Sequence, residues 1–377
     1  MEKLLPHFKK IKYNERMTPN LLPKSFLGID IGTSAIKIVE LSAFARRIKL
    51  ENYVELPTSN FQQRQFQTPE KSVIFLPSED IAEAIKTALS KAKIKTRNCV
   101  ISIPDFLTFF TAFDLPKMTK EELAQAVKNE ARKYIPLPLK EVTLDWHLRE
   151  VEFDKQRKKS ITIFLVAVPN EIIYKCQQIA ILANLKLLVM EAEIFGLIRA
   201  LIKKEEEKLI GLIDMGARST TCSIVEKGVL RVYHSLNVSG SFLTEKIARE
   251  LEIEWELAEK LKREYGISNP PSGWDAETQE SFKEILISTV NPLLQEVSKI
   301  FNGFYLKEEK EIDKIILAGG VGLMPGVLSI FQNYFKKEVE LANPFSNIFY
   351  PSPLKETLKK IGPLFAIAVG MALRGLT

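Results

Sequence analysis

Apolar positions along the chain fall into short β-prone runs and longer stretches of helical spacing. Phe26–Ile31 and Ala35–Val39 are two such runs, parted by the small polar turn Gly32-Thr33-Ser34. Strand, tight turn and strand predict a β-hairpin, with a third strand over Ile48–Glu55. Residues Thr58–Lys71 are polar and Gln-rich and predict a loop. Ile81, Ile85 and Leu89 recur four apart, predicting a helix opened by Pro77-Ser78-Glu79-Asp80 with Ser78 as its N-cap. Strands follow at Val100–Ile103 and Phe109–Leu115. A helix then starts at Thr119-Lys120-Glu121-Glu122, carries Leu123, Val127 and Ala131 on one face, and stops before Pro136. Val142–Phe153 and Ser160–Val168 predict strands joined by a basic tip. A helix over Pro169–Ala183, a buried strand over Leu185–Met190 and a helix through Lys204 come next.

The second half repeats the opening. Gly211–Glu226 predicts another hairpin, followed by a strand over Val229–Leu236 and helices over Phe242–Glu250 and Glu254–Lys262. Glu277–Leu306 predicts a long helix that Pro292 kinks or breaks. The strand Lys314–Ala318 runs into Gly319-Gly320-Val321-Gly322-Leu323-Met324-Pro325-Gly326 and a helix. From Pro344 the chain reads as a loop, ending in a helix over Gly362–Arg374.

The two hairpins match in detail. Each has an apolar run ending in Asp (Asp30, Asp214), a glycine one residue further on (Gly32, Gly216), a small polar turn, and a second run closing on Ile-Val-Glu. A carboxylate at a strand end beside backbone N–H groups suits a phosphate and its magnesium ion. One Asp-x-Gly turn is commonplace; a matched pair implies a duplicated unit presenting facing loops to one ligand. The second copy departs in carrying Arg218 where a glycine would fit most easily.

Composition narrows the classes. The 377 residues exceed one ordinary core and predict at least two domains. Hydrophobic content of 46% and charged content of 27% are those of a globular protein. A net charge of +6 is mild for this length and does not argue for nucleic acid, and Lys155–Lys159 reads as a solvated tip. Cys99, Cys176 and Cys222 are too few and too scattered for a disulfide framework or a zinc site, and fit a reducing cytosol. His7, His147 and His234 show no ligand spacing. No apolar run is long enough to span a bilayer, and the start carries charges where a signal peptide has its apolar core. Residues 1–24 are a basic, proline-punctuated lead expected to be a flexible terminus.

Five blocks in order resemble the actin-like ATPase superfamily, a duplicated, ribonuclease H-like α/β fold, and within it the PilM family of type IV pilus assembly. They are Gly28–Lys37; Leu115–Met118 with Glu130–Pro136; Asp214–Ala217; Leu317–Gly320 with Met324–Gly326; and Ala368–Arg374. The second block is the one particular to the pilus family. The resemblance implies a first lobe over 25–96 and 169–206, an inserted β-α-β-β subdomain over 97–168, a second lobe over 207–240 and 310–377, and its subdomain over 241–309. It implies ATP and Mg2+ as cofactors. Gly32, Thr33 and Ser34 would form the first phosphate loop, with Asp30 toward magnesium through water. Asp214, Gly216 and Ala217 would form the second, and Gly319, Gly320 and Val321 would back the adenosine. Lys37 reads equally as a site residue or a solvent-facing lysine. Glu259 and Lys262 read equally as ribose and adenine contacts or as an exposed helix face. Glu193 sits where some members orient the attacking water, with Glu191 an alternative two positions away.

The function so implied is a cytoplasmic ATP-binding scaffold, with at most slow hydrolysis, peripheral to the inner membrane through partners. It would bind the N-terminal tail of the inner-membrane protein PilN and couple nucleotide state to the pilus inner-membrane platform. An FtsA-like cell-division anchor, a type II secretion scaffold and a small-molecule kinase share the core and stand as alternatives. Tails of this kind carry Asn-Leu-Leu-Pro, and this chain has its own Asn20-Leu21-Leu22-Pro23. Coincidence in a linker is the plainer reading; a self-peptide, in cis or by self-association, is the sharper one.

Overall fold

A computed structural model describes residues 24–45, 47–57, 72–116, 118–150, 160–203, 205–268 and 270–377. The basic lead with Asn20–Pro23, the Gln-rich stretch 58–71 and the basic tip lie outside the described residues.

Strand β1 (Lys24–Ile31) pairs antiparallel with β2 (Ala35–Phe44), and β3 (Arg47–Pro57) lies beyond β2. Helix α1 (Ser78–Lys91) leads to β4 (Asn98–Ile103), parallel to β1, and β8 (Lys186–Ala192) lies parallel to β4. The sheet order is β3-β2-β1-β4-β8. The second half repeats this design. There β9 (Leu209–Met215), β10 (Thr220–Glu226), β11 (Val229–Leu236), β12 (Lys314–Ala318) and β13 (Glu338–Leu341) form a sheet ordered β11-β10-β9-β12-β13. The strand orientations also match, hairpin antiparallel and crossovers parallel. The duplication expected from the two hairpins is therefore present as a duplicated sheet. Its central strands are buried almost end to end, which is why they read as continuous apolar runs.

Between β4 and β8 the chain builds a separate antiparallel sheet from β5 (Phe109–Pro116), β6 (Val142–Glu150) and β7 (Ser160–Pro169), ordered β5-β7-β6. Helix α2 (Lys120–Ala131) packs Leu123, Val127 and Ala131 onto Phe113, Leu115, Ile163 and Leu165. Thr119 and Glu122 form a reciprocal capping box at its start. Helix α3 (Asn170–Leu182) returns the chain to β8.

Several expectations need correction. Ser78 does not cap α1: it is the first helical residue, and its hydroxyl donates to Gln178 Oε1 of α3 at 3.1 Å. Strand β8 is buried only over its last three residues, because it lies at the sheet edge. Helix α7 (Ala276–Glu308) runs unbroken through Pro292. Helix α8 (Val327–Phe335) leads from β12 to β13, a strand not expected from its four alternating residues. The strand is held by pairing to β12 and by Lys314, whose ammonium reaches Glu340 at 2.8 Å and Glu338 at 3.2 Å.

The terminal helix α9 (Lys355–Leu376) starts at Lys355 rather than Gly362 and joins the two halves. The resemblance groups it with the second lobe. Its first part does touch that half: Gly319 N–H donates to Pro363 O at 3.0 Å. Its later part instead packs on β1, β2 and α4 (Glu193–Leu201), with Ala368, Val369 and Ala372 against Val39 and Leu41. A Cβ added at Gly28 would lie 1.9 Å from Ala368 O, and one at Gly370 would lie 2.0 Å from Gly196 O. These close approaches seat α9 on both β1 and α4.

Candidate functional site

The register of the first hairpin places Asp30 directly opposite Lys37, on the same face of the sheet. Both side chains are buried, and Lys37 Nζ lies 3.6 Å from Asp30 Oδ2. Lys37 is thus not a solvent-facing lysine. Ser102 at the end of β4 donates to Asp30 Oδ1 at 3.0 Å. A Cβ at Gly32 would come a tight 3.1 Å from Ala35 O. In the same turn, Thr33 Oγ1 donates to Ser72 Oγ at 3.3 Å, and Ser34 is half-buried.

Asp214 occupies the matching position on β9. The turn after it closes by Gly216 N–H to Ser219 O at 3.0 Å. Gly240 N–H and Ser241 N–H, opening helix α5 (Gly240–Glu250), donate to Gly216 O and Ala217 O, each at 2.9 Å. Gly319 approaches from the end of β12 with φ +80°. A Cβ there would lie 2.4 Å from Met215 O and 2.6 Å from Asp214 Oδ1, so only glycine fits. Gly320 sits against Leu364, and Val321 is buried beside Gly240.

Glu193 and Asp105 complete the centre, and Asp105 is not among the residues that the sequence motifs mark. Asp105 N–H donates to Glu193 Oε2 at 3.0 Å, and Ile194 N–H, in the first turn of α4, donates to Asp105 Oδ1 at 3.4 Å. A signal was available: Asp105 follows a β-run as Asp30 and Asp214 do, but no glycine flags it. Glu191 is separated from this centre. It pairs with Arg199 in a double contact at 2.6 and 2.8 Å and so braces α4, where Arg199 also donates to Gly370 O of α9 at 3.2 Å.

Glu259 and Lys262, on α6 (Trp255–Glu264), are not an exposed helix face. The Lys262 ammonium is buried and donates to Gly240 O at 2.8 Å, Thr244 Oγ1 at 2.7 Å and Glu259 Oε2 at 2.5 Å, which uses its three protons. The pair locks α6 to the start of α5, and hence to the second loop.

Asp30, Asp105, Glu193 and Asp214 thus gather at the carboxyl ends of β1, β4, β8 and β9, where open α/β sheets bind ligands. Burial, then the neighbouring Asp30, pushes the Asp214 carboxyl up to about 7, with Lys37 pulling it down. Burial also holds Asp105 and Glu193 well above the carboxylate range; the charge of Asp214 adds to this at Asp105, and the charge of Asp105 adds to it at Glu193. The folded protein therefore keeps a proton on Asp214 that the unfolded chain releases near 3.8. Stability should fall as pH rises from about 4 through about 7. Thermal melts between pH 5 and pH 8 should show this decline, and Asp214→Asn should make it shallower; a wild-type melting curve that rises over that range would refute the assignment. A cavity of about 690 Å³ opens beside the centre, lined by Asp105, Phe106 and Phe110 on one wall and Arg218, Tyr233 and Ser239 on the other.

The chain matches the family of the type IV pilus assembly protein PilM over residues 28–376. It belongs to that family. The solved PilM–PilN type IV pilus biogenesis complex is 25% identical, with a TM-score of 0.77 covering 93% of this chain and 98% of that one. MreB5 of Spiroplasma citri bound to AMPPNP shares the fold at 14% identity and a TM-score of 0.51, covering 93% and 95%. The cell division protein FtsA of Streptococcus pneumoniae serotype 2 is 24% identical over 357 residues, 85% of this chain and 75% of that protein. The fold is thus actin-like, as the sequence implied. No helix among the described residues is long and apolar enough to cross a membrane.

Proposed function

We propose that this PilM-family chain is an ATP-binding scaffold of type IV pilus assembly, working in the cytoplasm and held at the inner membrane by its partners. One observation carries the nucleotide reading: two equivalent loops, one with the buried Asp30 and the other with the half-buried Asp214, face a shared acidic centre in which Lys37 pairs with Asp30. ATP would lie between the Gly32–Ser34 and Gly216–Ala217 turns, with Gly319, Gly320 and Val321 behind the adenosine. An all-oxygen, carboxylate-rich centre suits magnesium, which keeps several waters and takes only one or two carboxylates. Asp30 would hold that ion through water, and the cation would relieve the repulsion that raises Asp214. Glu193 would orient the attacking water. Glu259 and Lys262 would act through α5, by fixing the second loop.

The partner is the N-terminal tail of a PilN-type inner-membrane protein, docked between the inserted sheet and the first lobe, with nucleotide setting the angle between lobes. The likeness to the PilM–PilN complex along nearly both whole chains favours this over a division anchor, whose FtsA relatives are more distant. Calorimetric titration of a synthetic tail into the protein loaded with ATP and magnesium tests it. Saturable one-to-one binding is expected, and no binding would return the weight to the anchor and kinase readings. If Asn20–Pro23 competes as a self-peptide, deleting residues 1–24 should raise the tail's affinity; an unchanged affinity would exclude that competition.

A further inference from the structure

The turn between β4 and β5 is gripped from both halves of the molecule. From the first half, Glu193 accepts the Asp105 N–H at 3.0 Å while Asp105 accepts the Ile194 N–H at 3.4 Å, an exchange that ties the turn to the start of α4. Thr108 Oγ1 donates to Pro104 O at 3.1 Å and closes the turn on itself. From the second half, the Arg218 guanidinium lies over the Phe106 ring, 4.8 Å from its centroid. Phe110, in the first residues of β5, meets Tyr233 of β11 with ring centroids 4.2 Å apart. Arg218 follows directly on the Gly216-Ala217 turn, and Glu193 heads α4 at the end of β8 in the first sheet. The turn then runs without a break into β5, which pairs along its whole length with β7.

We propose that residues 105–110 form the relay that passes the state of the nucleotide cleft to the inserted sheet, with Asp105 as its positioning residue. This rests on the reading of the cleft as an ATP site. Anything that draws the two acidic loops together moves Arg218 relative to Glu193. A turn in contact with both cannot keep all of its contacts unchanged, because packed side chains switch between discrete arrangements rather than stretch. Phe106 follows Arg218, Asp105 follows α4, and the difference is taken up where the turn enters β5. The buried Asp105 carboxyl and the half-buried Glu193 carboxyl, whose proton Asp105 helps to hold, sit on the same contact, which makes it responsive to a cation or phosphate arriving beside it.

The test is hydrogen exchange on the full chain with and without Mg-ATP, with ATP affinity measured on each variant by calorimetry. In the wild type, Mg-ATP should slow exchange in peptides from β5 and β7 by about fivefold or more, the lower end of ordinary coupling between sites. Phe106→Leu removes the ring beneath Arg218 and keeps an apolar side chain. It should leave ATP affinity unchanged and abolish the protection of β5 and β7. Asp105→Ala should also abolish it, and Asp105→Asn, which still accepts from Ile194 N–H, should restore it. Protection that survives in both Phe106→Leu and Asp105→Ala overturns the relay, as does a wild type that binds ATP with no change in the inserted sheet. A wild type that binds no ATP overturns the nucleotide reading itself, and the relay falls with it.

Discussion

Asp30→Ala should lower the affinity for ATP in the presence of magnesium by roughly a hundredfold or more. Removing one member of a buried, hydrogen-bonded charge pair at a binding site costs about 2–5 kcal/mol. Each 1.4 kcal/mol is a factor of about ten in the dissociation constant. Three losses coincide here. The Ser102 hydroxyl loses its acceptor, Lys37 is left buried without the carboxylate 3.6 Å away, and the proposed magnesium loses the oxygen that would hold its water. The orphaned lysine should also lower stability, by about 3 kcal/mol on the scale of broken buried pairs. Asp30→Asn separates the two effects: the amide oxygen can still accept from Ser102, but the charge is gone. Calorimetric ATP titrations of both variants with magnesium present decide the matter. ATP binding as tight in Asp30→Asn as in the wild type would place the nucleotide elsewhere.

The largest effect on stability is expected at Gly28. Its added Cβ would lie 1.9 Å from Ala368 O and 2.3 Å from Ala372 N, both backbone atoms of α9. No rotamer change relieves such a clash, so β1 and α9 must part. Overpacking a core commonly costs about 1–3 kcal/mol and more where backbone has to move. Gly28→Ala should therefore cost about 3 kcal/mol or more, out of a total that for most proteins is about 5–15 kcal/mol. Gly303 supplies the control. It lies in α7 with nothing within 4 Å of its Cβ position, so Gly303→Ala should be neutral or stabilise by up to about 1 kcal/mol through helix propensity. Denaturant unfolding of the two variants reads the contrast directly. Equal stabilities would mean that α9 does not rest on β1 as described.

Much of the fold was legible because local patterns carried it. The two Asp-x-Gly hairpins announced the duplication, since a strand ending in a carboxylate and a small turn leaves a recognisable sequence whatever surrounds it. Thr119 with Glu122 announced α2, because a capping box is satisfied within four residues. Strand β13 escaped notice because four residues carry too little pattern; only its pairing with β12 makes it a strand. Ser78 had the chemistry of an N-cap, but a glutamine a hundred residues away claims its hydroxyl.

The candidate site divides in the same way. The amino-acid sequence alone determined its family, its two loops and the aspartates Asp30 and Asp214, because those features lie within runs of a few residues. Tertiary structure decided what each polar side chain does. It turned Lys37 inward onto Asp30, spent the protons of Lys262 inside the second half, assigned Glu191 to Arg199, and set Asp105 against Glu193 from 88 positions away. It also carried α9 from the second half onto the first sheet. A local pattern fixes which strand or turn forms, but the energy of a buried charge depends on which partner the packing brings within reach, and that is settled only when distant segments meet.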